Sequence, residues 1–329
     1  MTATPDLTMS RPPRRAARRR ALTFDKASFM AVFLILPLAV FVVFVVVPYA
    51  QSIYYALTNW RGFSDEMDFI GLANFATIFS DGVFLTSLRN SMVLGAVLPT
   101  IILALAFAIA FIVTSGGPAV GQVRGLAGSG VYRVISFFPY AVPAIVIGII
   151  WVQVFDPSRG LLNGILVALG LDGFENFAWL GNTSTAMPAS MFTIAWGLIG
   201  FYTVLFVAAI KGVPAETYEA ARIDGAGRFR TAVSVALPQV LGNVRTAYIY
   251  LGLMAIDSFG YMMVLNSTGG PDYATLTLTQ ELYQTAFTKG QFGLATAMGI
   301  VLAGVTLVYA ALIFLIFRLV GGRDEGSRA

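Results

Sequence analysis

Cysteine and histidine are both absent from the 329 residues. Their absence removes disulfides, thiol nucleophiles, imidazole acid–base chemistry and the common soft-metal ligand sets together. Charge is scarce as well: 12% of residues are Asp, Glu, Lys or Arg, against roughly 25% in an ordinary soluble chain. With 57% hydrophobic residues and a mean hydropathy of +0.77, a water-soluble fold is excluded. No Gly-Lys-Ser or Gly-Lys-Thr occurs, so the glycines between 116 and 130 lack the lysine that would reach a phosphate and read as a flexible connection. The formal net charge of +4 does not point to nucleic acid, because the arginines sit beside apolar segments rather than on a polar face with interleaved aromatics.

What the chain has instead is apolar runs of about 20 residues, the length that crosses a bilayer as helix. Bounded by charges, Gly and Pro, they predict spans at 29–49, 87–113, 134–155, 188–210, 243–266 and 292–319. The first is too long for a signal-peptide core and is read as an uncleaved span. Pro139 and Pro143 bracket an expected kink in the third.

Basic residues orient the set. Arg11, Arg14, Arg15, Arg18, Arg19, Arg20 and Lys26 precede the first span, and Arg124 and Arg133 lie between the second and third. Lys211, Arg222, Arg228, Arg230 and Arg245 lie in or beside the loop between the fourth and fifth, and Arg318, Arg323 and Arg328 lie at the C-terminal end. The opposite loops hold Arg61, Arg159 and Lys289, with Arg89 at a span edge. The positive-inside rule then puts both termini in the cytoplasm. Residues 1–28 form a basic tail expected to be disordered, which serves as a topology signal or meets anionic lipid, 29–319 form the membrane domain, and 320–329 form a C-terminal tail. The outer-side Trp60 and Trp179 either anchor at the interface or pack within their loops.

The polar segment 211–242 has helical punctuation of its own. Pro214 suits a first turn, Glu216 and Glu219 favour the positive N-terminal end of a helix, and Gly225 suits a left-handed terminator. A second short helix is expected from about Gly227 to Leu237, with Pro238 as a break before the fifth span. By spacing alone, this is either a compact knob that docks into a partner or an amphipathic pair lying on the membrane surface.

Glu219-Ala220-Ala221-Arg222-Ile223-Asp224-Gly225-Ala226, followed by Phe229, Val235 and Leu237-Pro238, resembles the EAA loop of ABC importer permeases. Thr268-Gly269-Gly270-Pro271, Ala274-Thr275-Leu276-Thr277-Leu278, Tyr283-Gln284-Thr285-Ala286-Phe287 and Arg89-Asn90-Ser91 are similar to the sugar permeases of the maltose and glycerol-phosphate type. Ala232 departs from the pattern, standing where that family often has Phe. The resemblance implies an all-α, six-span type I permease fold in a bacterial inner membrane. It implies Glu219, Ala220, Ala221, Arg222, Asp224 and Gly225 as the coupling surface for a separate ATPase. It further implies a second related permease, two copies of the ATP-binding subunit and an extracytoplasmic solute-binding protein. No cofactor is expected in this chain, ATP and Mg being held by the ATPase. Transport of a mono- or oligosaccharide or a related polyol by alternating access is the function implied.

Asp257, expected near the middle of the fifth span, is costly in a bilayer, about 2.5–3.5 kcal/mol on insertion scales, and so should face a cavity or the bundle interior. It is a candidate hydrogen-bonding partner for sugar hydroxyls, or else an internal structural pair. Asn90, Tyr140, Gln153, Trp196, Tyr250 and Asn266 are further candidates for a solute path, since carbohydrate sites combine amide and carboxylate groups with aromatic faces. A gradient-driven carrier using Asp257 as a proton or sodium site is the competing function. It leaves the EAA-like loop unexplained.

Overall fold

The computed structural model describes residues 28–63, 66–114 and 135–325, with side chains through Leu319. The arginines before the first span, Lys26, Asp65, Arg124, Arg133, the glycine-rich connection, Arg323 and Arg328 lie outside the described backbone or side chains. Regular structure among the described residues is helical, apart from an isolated antiparallel bridge between Thr58 and Phe69.

Four helices are long and apolar enough to cross a membrane: Ser28–Ala56, Gly82–Thr114, Ala186–Lys211 and Phe292–Leu319. Two bent pairs, Ile135–Ala141 with Ala144–Val154 and Leu241–Ile256 with Phe259–Leu265, complete six crossings when each pair counts as one. Residues through Gln51 form one compact unit and Ser52–Ala329 a second. The first unit is an apolar helix interrupted by widened turns at Ala31–Ile35 and Val42–Val46. All packing described below belongs to the second.

The expected third span is corrected. Its two pieces meet at 109°, a right-angle turn rather than a kink. Pro143 forces the preceding Val142 out of helical geometry (φ −88°, ψ 134°) and supplies no amide hydrogen of its own, so the helix stops and restarts. The fifth span bends by 42° between Ile256 and Phe259, with Asp257 (φ −100°, ψ 56°) at the break.

The main core joins the second, fourth and fifth spans through Leu98, Ile102, Phe206, Ile210 and Leu251. Burying each such side chain contributes about 1.5–3 kcal/mol in water, but among lipid tails it is close packing that holds the helices. A smaller cluster, Ala56, Ile78, Phe84, Leu278, Ala297 and Met298, gathers the ends of the second and sixth spans with the segment after the fifth.

Loops at that end are folded rather than slack. Asn74 donates to the carbonyls of Ala56 and Thr58, both at 2.8 Å, and Gly293 N–H donates to Trp60 O at 2.8 Å. Trp60 stacks on Tyr55 with centroids 4.5 Å apart. Trp179 stacks on Phe174 at 5.4 Å and donates to Asn163 Oδ1 at 2.6 Å. Both tryptophans therefore pack within their loops.

Candidate coupling surface and translocation path

The segment between the fourth and fifth spans folds into two short helices. The first, Ala215–Ile223, starts after Pro214, which is its N-cap rather than a first-turn residue (φ −54°, ψ 137°). Asp224 closes it, and Gly225 takes φ +72°, a left-handed conformation that costs residues with a Cβ about 1–2 kcal/mol. Asp224 N–H donates to Ala220 O (3.0 Å), Gly225 N–H to Arg222 O (3.1 Å) and Ala226 N–H to Ala221 O (2.9 Å), satisfying the terminal carbonyls. Tyr218 fastens the helix to the fourth span by donating to Ile210 O at 3.3 Å. Burial pushes its hydroxyl pKa up, which keeps the donor protonated.

The second helix differs from expectation. Pro238 does not break it; helical backbone runs from Arg228 through Gln239, and the break falls at Val240 (φ −102°, ψ 10°). A proline four residues above a carbonyl would clash with it in a regular helix. The widened turn Ala232–Ala236, in which Leu237 N–H donates to Ala232 O, makes room for the ring.

The pair presents Glu219, Ala220, Arg222 and Asp224 to the exterior, with Ala221 half-buried and Gly225 exposed. Two large apolar side chains stand out beside these charges: Ile223 is 86% exposed and Phe229 83%. Both were within reach of the sequence as members of the quoted motif, but their outward direction is a fact of the fold. Apolar anchors ringed by charge are the composition of a protein interface core. Phe107, Ala108, Phe111 and Ile112 of the second span face Arg228, Phe229, Ala232 and Val233 across an apolar groove of about 310 Å³. The small side chain of Ala232 leaves part of that groove open.

The other candidate residues separate into two groups. Asn90 is buried, and its amide donates to Tyr273 O (2.9 Å) and Leu276 O (3.0 Å), while Leu278 N–H donates to Ser91 Oγ (2.9 Å). These bonds hold residues 273–278 to the second span. Asn266 belongs to the same construction: its main-chain carbonyl accepts from Gln280 Nε2 at 2.8 Å. Glu281, almost wholly buried, accepts from Lys289 Nζ at 2.7 Å and from Thr285 Oγ1 at 3.2 Å. Tyr140 stacks on Phe201 at 4.5 Å, and Trp196 packs edge-on to Trp151 at 5.6 Å. The hydrogen bonds and ring contacts of these side chains are with the protein itself.

Asp257, Tyr250 and Gln153 are exposed, and so is Tyr140 beside its stacking partner. Of the two readings of Asp257, an internal pair is not found: its carboxylate has no hydrogen-bond or ionic partner among the described residues. Tyr250, Met254 and Asp257 follow one another at helical spacing and are exposed together on one face of the fifth span. Met254 was missed, although its place in that i, i+4, i+7 series is readable from sequence. Gln153 ends the helix Ala144–Val154 on a different element.

The coupling pair and the folded loops lie at opposite ends of the second span. Asn90 touches the segment after the fifth span, and Phe111 lies against the second coupling helix. At 1.5 Å per residue these points are roughly 30 Å apart, about the thickness of a hydrocarbon core.

A family model for "Binding-protein-dependent transport system inner membrane component" matches residues 114–322. The diacetylchitobiose uptake system permease protein NgcF of Streptomyces coelicolor is 56% identical, over 98% of this chain and 92% of its own. A probable ABC transporter permease, YurN of Bacillus subtilis, is 33% identical over 88% and 96%. The multiple sugar-binding transport system permease MsmF of Streptococcus mutans is 31% identical over 82% and 88%. A chain in the crystal structure of a bacterial alginate ABC transporter, in complex with an alginate pentasaccharide-bound periplasmic protein, superposes with a TM-score of 0.74. It is 19% identical, covers 90% of this chain and 96% of that one, and shows the shared fold. This chain is accordingly an ABC transporter permease, with no enzymatic role of its own, and belongs to the family of binding-protein-dependent transport system inner membrane components.

Proposed function

We propose that this chain is the permease of an ATP-driven carbohydrate importer, and that its solute is an oligosaccharide of the N-acetylated kind. The observation that carries the solute class is the relatedness, along nearly the whole chain, to a permease named for diacetylchitobiose uptake. In the working assembly it pairs with a second related permease, two ATP-binding subunits and an extracytoplasmic solute-binding protein, with both termini in the cytoplasm. ATP and Mg belong to the ATP-binding subunits.

The coupling pair is the part that meets an ATPase subunit. Glu219, Arg222 and Asp224 set its register, Ala220 and Ala221 permit close approach, Gly225 shapes the turn, and Ile223 and Phe229 are its apolar anchors. A folded knob moves as one body, so closure of the ATPase pair rotates the fourth and fifth spans joined to it. Tyr250 and Asp257 offer the solute an aromatic face and a carboxylate at the bend of the fifth span, with Gln153 contributing from the third. Asn90, Tyr140 and Asn266 act indirectly, by holding the outer segment and the third span in position. No observation favours the gradient-driven carrier.

The test is uptake of radiolabelled diacetylchitobiose into proteoliposomes holding the full assembly with its binding protein. ATP-dependent accumulation is expected, competed by N-acetylated oligosaccharides and not by maltose. Accumulation driven by a proton or sodium gradient without nucleotide would overturn the importer reading. ATP-dependent uptake of maltose alone would overturn the solute class only.

A further inference from the structure

Pro99 lies inside the second span, buried and near its middle. A proline has no amide hydrogen, so the carbonyl four residues earlier, that of Gly95, loses its helical donor. In a bilayer core no water replaces that donor, and an unsatisfied carbonyl there is costly.

The structure supplies one from another helix. Tyr309 of the sixth span is 6% exposed, and its hydroxyl donates to Gly95 O at 2.9 Å, with Tyr248 O also nearby at 3.4 Å. The path of the ring is kept open by Gly252 on the fifth span, where a Cβ would overlap the Tyr309 hydroxyl. A second tyrosine grips the next carbonyl. Tyr248 Oη lies 3.1 Å from Ala96 O and 2.8 Å from Thr100 Oγ1, which itself donates to Ala96 O.

We infer that Tyr309 is a positioning residue for transport: its hydroxyl replaces the hydrogen bond that Pro99 cannot make, pinning the second, fifth and sixth spans together at mid-membrane. The pin sits directly in the route from the coupling pair, because the fifth span begins at Leu241, just beyond the second coupling helix. The apolar core already joins the fifth span to the second, and the seated Tyr309 hydroxyl adds the sixth span to that pair. The inference concerns the coupling of spans within the family's transport cycle and does not depend on which solute is carried.

A double-mutant cycle in the reconstituted full assembly separates this role from ordinary packing, using Tyr309→Phe, Pro99→Ala and the pair together. Tyr309→Phe keeps the ring and removes the donor; it is expected to lower solute taken up per ATP hydrolysed by about three- to tenfold, the effect of losing one interhelical hydrogen bond in a membrane. Pro99→Ala restores an amide hydrogen to Gly95 O, so Tyr309→Phe in that background should cost less than about twofold. An equal loss in both backgrounds, or no loss in either, overturns the proposal. Should Tyr309→Phe fail to assemble with Pro99 present, assembly recovered in the double variant supports the pin, and continued failure opposes it.

Discussion

Among single residues, Gly225 and Asp257 carry the clearest consequences. Gly225 has open space within this chain where a Cβ would stand, so here its replacement costs backbone conformation rather than packing. Gly225→Ala should destabilise the turn by about 1–2 kcal/mol, leaving basal ATP hydrolysis in place while solute-stimulated hydrolysis and uptake fall. Gly225→Asn should be milder, since Asn tolerates the left-handed region. Equal activity of Gly225→Ala and the parent would show that the turn is not needed for docking. Asp257 stands exposed at a break in a membrane helix with no partner among the described residues. If it binds solute hydroxyls, Asp257→Asn should raise the solute concentration for half-maximal uptake roughly tenfold, as expected for loss of a charged hydrogen bond. Unchanged uptake and solute preference would remove it from the path.

Elements show how local chemistry is adapted to a membrane protein's constraints. In the third span Pro143 sits at a 109° break, and in the second a buried proline's stranded carbonyl is covered by a distant hydroxyl. In the second coupling helix the backbone widens by one residue to admit Pro238. The groove beside Ala232 adds a packing prediction. Ala232→Phe should bring a ring against Phe107 and Phe111 and stabilise the seat of the coupling helix by about 1–2 kcal/mol, a partial share of a buried aromatic's worth. A higher midpoint in thermal unfolding of the detergent-solubilised assembly is the expected outcome. A lower midpoint would mean that the groove is overpacked by a ring.

For the molecule as a whole, the arrangement of its two ends can be checked without preparing a cysteine-free background, because the native chain has no cysteine. Thr183 lies exposed in the loop before the fourth span, and Ser234 lies exposed on the second coupling helix. In intact cells whose outer membrane, where there is one, is permeable to the reagent, a membrane-impermeant maleimide should label Thr183→Cys. Ser234→Cys should be labelled only after lysis. The reverse pattern would invert the topology, and labelling of both in intact cells would contradict a coupling surface inside.

The helix, its end and the left-handed turn within 215–225 were legible in sequence because Pro214, the acidic first turn and Gly225 are signals carried by neighbours along one short segment. The six apolar runs were legible for a similar reason: bilayer thickness imposes a length and a composition that no tertiary contact is needed to reveal. Other features depended on which groups meet across the bundle. Asn90 reads as one of several candidates for a solute path, yet its amide holds two carbonyls more than 180 positions away. Asp257 reads as mid-helix, facing a cavity or the bundle interior, and the helix break after Ile256 is what exposes it. Tyr309 carries no local signal, because the carbonyl it serves was stranded by a proline on a different helix. Sequence by itself determined the class and the presence of long apolar membrane segments, which rest on neighbours along the chain. Only the tertiary structure decided which polar groups are satisfied by protein and which stand exposed, since a hydrogen bond between helices depends on their packing and not on their order.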